Sequence, residues 1–157
     1  MKPKANQPPG ELEAKLKSVK ASTLMTAHVI TATPQMTLSD TADLMIKNRV
    51  SGLPVIDKIG RLVGVVTITD LTVVMGMVLE GSVDQAGISK MNPTVDYAMS
   101  TEIESVREDT SLYDLIRLVR SKNIHTIPVL QDGKLTGVIG QHDILKKFYE
   151  IVKTCTL

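Results

Sequence analysis

Two short stretches of this chain carry side chains suited to holding a polar ligand. Residues 64–70 read Gly-Val-Val-Thr-Ile-Thr-Asp, and residues 137–143 read Gly-Val-Ile-Gly-Gln-His-Asp. Each is an apolar, β-rich run that passes into a helical pattern, so the polar residues fall where a strand ends and a helix starts. At such a junction free backbone N–H groups and the positive end of the helix dipole favour an anion such as phosphate. Thr67 and Thr69 add hydroxyl donors, and the Asp70 carboxylate can accept two bonds from a vicinal diol such as a ribose. A structural role also fits Asp70, because Asp is among the best caps for a helix, here one beginning at Leu71. The second stretch keeps Asp143 but has Gly140 in place of Thr67, which removes a hydroxyl while letting a ligand approach the backbone closely. The two sites are therefore expected to differ, with Thr67, Thr69 and Asp70 forming the better one.

The elements that position these residues occur twice. Residues 51–71 and 125–144 superpose once one residue is removed from the first turn, placing Pro54 on Pro128, Gly60 on Gly133, Gly64 on Gly137 and Asp70 on Asp143. Upstream the offset is constant: Met25-Thr26 falls on Met99-Ser100, and Thr37-Leu38 on Ser111-Leu112. In the first copy Thr37 and Asp40 make a capping-box-like start, followed by Leu38, Ala42, Met45 and Ile46 at helical spacing. In the second, Thr110 or Ser111 starts a helix whose stripe is Leu112, Leu115, Ile116 and Val119. Two β-rich runs follow each helix, joined by Asp-Lys-Ile-Gly or Gln-Asp-Gly, which favour tight reversals and predict antiparallel hairpins. A second helix closes each copy. One unit of this size leaves an apolar face exposed, so two are expected to pack sheet to sheet.

The recurring Met-Thr or Met-Ser, the apolar-Pro-Val-apolar strand, the Gly turn and the Gly-apolar-apolar-Thr-x-x-Asp segment resemble the CBS motif, named after cystathionine β-synthase. The resemblance covers residues 22–74 and 94–147. It implies an α+β fold in which two β-α-β-β-α motifs pack sheet to sheet as a pseudo-twofold module. It further implies clefts for AMP, ADP, ATP or S-adenosylmethionine, and dimerisation as a flat disc. The ribose would bond the Asp, the phosphates would meet the Thr or Ser, and the base would lie against the early backbone and the strand before Pro. Carried over residue by residue, Thr67, Thr69 and Asp70 are joined by Ile103, Ile124, Thr126 and Ile127 in one cleft. Gly140, His142 and Asp143 are joined by Ala27, Val50, Ser51 and Gly52 in the other, with His125 nearby.

Other features bound the reading. The net charge is +1, with basic residues dispersed, and with one Phe, three Tyr and no Trp there is little for bases to stack on; nucleic acid is not expected as a partner. His28, His125 and His142 lack metal-ligand spacing, so no metal is expected. His125 reads either as a cleft wall or as a surface residue. Cys155 is the single cysteine, compatible with a reducing compartment. The first residues lack the apolar core of a signal peptide and no apolar run is long enough to span a bilayer, from which a cytoplasmic location and no membrane partner are expected. No Gly-x-Ser-x-Gly or Walker-type loop is present, and the acidic Glu108, Asp109 and Asp114 suit a helix start; the chain is read as not an enzyme.

The organisation expected is a tail and amphipathic helix over 1–21, with Leu12, Leu16 and Val19 on one face, motif one over 22–74 and a linker over 75–93. Motif two over 94–147 and a helix end and tail over 148–157 complete it. No cofactor is required on this reading; an adenine nucleotide or S-adenosylmethionine is a regulatory ligand, the chain a homodimer, and a target protein is contacted in trans. The alternative is a ligand-free dimerising adaptor.

Overall fold

A computed structural model describes residues 9–82 and 91–155; the expectations for residues 1–8, for 83–90 of the connector and for 156–157 lie outside these residues. In chain order the elements are α1 (Pro9–Ser18), α2 (Ala21–Leu24), α3 (Leu38–Asn48), β1 (Gly52–Ile56), β2 (Leu62–Thr67), α4 (Ile68–Leu79), α5 (Val95–Ala98), β3 (Val106–Arg107), α6 (Leu112–Lys122), β4 (Thr126–Gln131), β5 (Lys134–Gly140) and α7 (Gln141–Cys155).

Local chemistry sets the helix ends. Thr37 accepts the N–H of Asp40 at 3.2 Å to start α3, and Ser111 accepts that of Asp114 at 3.1 Å to start α6. Between the two candidates for the second cap, the structure selects Ser111. Both helices stop at a left-handed residue, Arg49 at φ 54° and Asn123 at φ 51°.

The runs after α3 and α6 form the two expected antiparallel hairpins, β1 with β2 and β4 with β5. The second turns through Asp132 and Gly133, both at positive φ, as a two-residue turn of this hand demands. The first turn is held by Asp57, whose carboxylate accepts the N–H groups of Ile59 and Arg61 and the Arg61 Nε at 2.7 Å. These bonds, the Arg61 backbone N–H foremost, hold its carboxyl below the usual carboxylate range. The strand expected at the head of each unit is much reduced. It is the two-residue β3, parallel to β4, in the second half and a single bridge from Ala32 to Val55 in the first. Pro34, two residues beyond the bridge, has no N–H with which to lengthen it.

Burial divides into two cores. Leu53, Val55, Val66 and Met45 anchor one; Leu112, Leu115, Ile127, Val129 and Ile139 anchor the other. The head of each copy packs on the opposite core. Thr26 bridges to Val138 in β5, and Ser100 bridges to Val65 in β2. Ala21 and Met25 thus join the second core, and Val95 and Met99 the first. Glycines admit the two methionines: a Cβ at Gly64 would meet the Met99 sulfur, and one at Gly137 would meet that of Met25.

The amphipathic α1 lies across α6 and α7, inserting Leu16 beside the second core. Lys17 stands over the Tyr113 ring at 5.0 Å, and Lys15 Nζ lies 3.4 Å from the buried Cys155 sulfur. Among the described residues no helix is long and apolar enough to cross a membrane.

Candidate ligand clefts at the strand-to-helix junctions

Helix α4 begins at Ile68, three residues earlier than the sequence pattern suggests, so Asp70 is the third helical residue and Thr67 is the cap. The pair forms a closed capping box. Asp70 Oδ2 accepts the Thr67 N–H at 2.7 Å and the Thr67 hydroxyl at 2.9 Å, while Thr67 Oγ1 accepts the Asp70 N–H at 3.4 Å. Among the described residues these bonds occupy Oδ2 only, leaving Oδ1 to accept from a ligand. Helix α7 starts the same way without a hydroxyl: Asp143 Oδ2 accepts the Gly140 N–H at 2.8 Å. At both junctions capping engages Oδ2 of the carboxylate.

A cleft of ≈ 320 Å³ opens at the first junction. Thr67, Thr69, Asp70, Ile103, Ile124 and Thr126 all line it. His125, expected near the Asp143 cleft, lines this one instead. Ile127 does not line it: successive strand residues face opposite ways, so Thr126 faces the cleft while Ile127, 1% exposed, enters the core. A second cleft of ≈ 220 Å³ is lined by Val50, Ser51, Gly52, Gly140, His142 and Asp143. Ala27 is exposed outside it; its neighbour Thr26, which pairs with Val138, lines it instead. Ser51 and Thr126 border both clefts, which therefore meet where the two hairpins touch.

Several lining residues escaped the sequence reading, notably Ser100, Glu102, Glu104 and Asn123 in the first cleft and Arg49 in the second. The internal repeat held the signal for two of them, since Arg49 and Asn123 occupy equivalent positions just after equivalent helices. Among the described residues no group of three or more His, Cys, Asp or Glu side chains is arranged to hold a metal ion.

Two copies of one supersecondary unit, packed about an approximate twofold with a cleft at each strand-to-helix junction, define a paired-motif module. The chain belongs to the CBS domain family, whose model matches residues 21–76 and 95–150. It is 30% identical over 136 residues to a zinc metalloprotease of Methanocaldococcus jannaschii, and 32% identical over 143 residues to the inosine-5′-monophosphate dehydrogenase of Mycobacterium leprae. These matches cover 87% and 90% of this chain but 34% and 25% of those proteins. The chain therefore spans about a third of the first relative and a quarter of the second. Among solved structures it is similar to CBSX2 in complex with AMP, with 27% identity, a TM-score of 0.72, and coverage of 86% of this chain and 99% of that one. The protein MJ1225 of Methanocaldococcus jannaschii gives 26% identity and a TM-score of 0.74, over 88% of this chain and 51% of that one.

Proposed function

We propose that this chain is a regulatory module that binds adenosyl ligands, adenine nucleotides or S-adenosylmethionine, in its two clefts and acts through a partner rather than by catalysis. The observation that carries this reading is the junction at Asp70. A carboxylate oxygen, two threonine side chains and the start of a twelve-residue helix converge on one cleft, a combination that suits a ribose diol and its polar substituents. The AMP bound by CBSX2, a structural relative at 27% identity, supports the adenosyl class.

A sensor must bind its ligand with different free energies in two states, and an oligomer interface supplies a place for those states to differ. The module works as a homodimer on this proposal. Ile46, Ile68 and Met75 on the α3/α4 side, and Leu145 and Tyr149 on α7, are each at least half exposed and offer apolar helix faces for a second copy. The effect is read by a target protein in trans, in the cytoplasm.

The test is a thermal-shift series with AMP, ADP, ATP and S-adenosylmethionine on the wild type, Asp70→Ala and Asp143→Ala. Ligand at about 100 times its Kd adds roughly 2.7 kcal/mol of stability, so a shift of several degrees is expected, lost in the variant of the occupied cleft. Absence of any shift at millimolar ligand would leave the ligand-free dimerising adaptor as the function.

A further inference from the structure

The two clefts are built alike but differ in charge. Three carboxylates, Asp70, Glu102 and Glu104, line the first, with neither Lys nor Arg. Glu104 is met from beyond the lining by Lys122 Nζ at 3.4 Å, whereas Glu102 has no salt bridge among the described residues. The second cleft sets Arg49 against the single carboxylate of Asp143, and each cleft has one histidine, His125 in the first and His142 in the second. Arg49 likewise has no ion pair among the described residues, so its guanidinium is available to a ligand.

The approximate twofold makes this comparison position by position. Arg49 corresponds to Asn123, and both hold the left-handed conformation after equivalent helices. His142 corresponds to Thr69, while Glu102 and Glu104 correspond to His28 and Ile30. The differences at Arg49, Glu102 and Glu104 each make the first cleft more negative or the second more positive, while the histidines are balanced, His142 in the second cleft and His125, which corresponds to Ser51, in the first. What the clefts share cannot discriminate: each has one Asp in the first turn of its helix, accepting the N–H of the cap. A 5′-phosphate brought into the first cleft meets like charges with no lining Lys or Arg to offset them, and electrostatic complementarity then selects against it.

We propose, resting on the adenosyl-binding reading above, that the clefts sort adenosyl ligands by the charge of the 5′ substituent. The Asp70 cleft takes a 5′-sulfonium or uncharged thioether adenosine; the Asp143 cleft takes a 5′-phosphorylated one, anchored by Arg49. For a phosphorylated nucleotide this reverses the preference that the hydroxyls of Thr67 and Thr69 suggest on their own.

Titration calorimetry of the full chain with AMP, S-adenosylmethionine and 5′-methylthioadenosine tests it. Asp143→Asn should weaken AMP selectively, and Asp70→Asn the two sulfur ligands. Arg49→Gln should weaken AMP about tenfold and S-adenosylmethionine less than about twofold, as expected for loss of one charge-assisted contact. The pair Glu102→Gln and Glu104→Gln should lower the affinity ratio of S-adenosylmethionine to methylthioadenosine about fivefold, since only the former carries a sulfonium. Binding of these ligands with AMP indifferent to Arg49→Gln, or with AMP lost in Asp70→Asn instead of Asp143→Asn, overturns the sorting and leaves the adenosyl reading standing. Absence of saturable heat with all three ligands overturns both.

Discussion

Gly52 stands directly against Thr126, and the two occupy the same position in the two halves of the repeat. They meet where the hairpins touch, between the clefts, and a Cβ built on Gly52 would overlap the Thr126 hydroxyl and lie 3.3 Å from Thr67 Cγ2. Equivalent residues meet across an approximate twofold, and there is room for a side chain from only one of them.

Gly52→Ala is therefore expected to destabilise the fold by about 1–3 kcal/mol, the range for overpacking. Combining it with Thr126→Gly should recover part of that loss. A double-mutant cycle from urea unfolding measures the coupling, and additivity of the two changes would show that the hairpins relax apart independently of this contact.

Thr136 in β5 buries its hydroxyl oxygen without a hydrogen-bond partner among the described residues, whereas its counterpart in β2 is Val63. Replacing a buried, unsatisfied hydroxyl by a methyl removes a desolvation cost without changing the shape much. Thr136→Val should leave stability unchanged or raise it by about 1 kcal/mol. A lowered melting temperature would mean that the hydroxyl has found a partner in solution.

Leu16 is the buried residue of α1, 6% exposed against the core of the second half. Leu16→Ala should cost about 2–5 kcal/mol if the helix is integral to that core. A loss below about 0.5 kcal/mol, the usual size for surface changes, would make α1 a detachable arm. Chemical denaturation distinguishes the two.

Much of this architecture was legible in the residues because the repeat displays it twice. The hydroxyl caps before α3 and α6 and the Asp-Gly reversal between β4 and β5 follow from local hydrogen bonding and backbone preference, although the start of α4 lies at Ile68 and not at the expected Leu71. Such terms involve residues a few positions apart, so the linear order contains them. The alternation of Thr126 and Ile127 was also present in principle, but carrying whole segments over by resemblance placed both in the cleft.

What the sequence by itself determined was the pair of units, their element types and the Asp at each junction. Only the tertiary structure decided that the head of each copy, through Met25 or Met99, packs on the other copy's core. It alone brought Glu102 and Glu104 beside Asp70, and Arg49 beside Asp143. These relationships join residues 32–112 positions apart, fixed by which apolar faces bury one another and by glycines that leave room, and no local propensity encodes them.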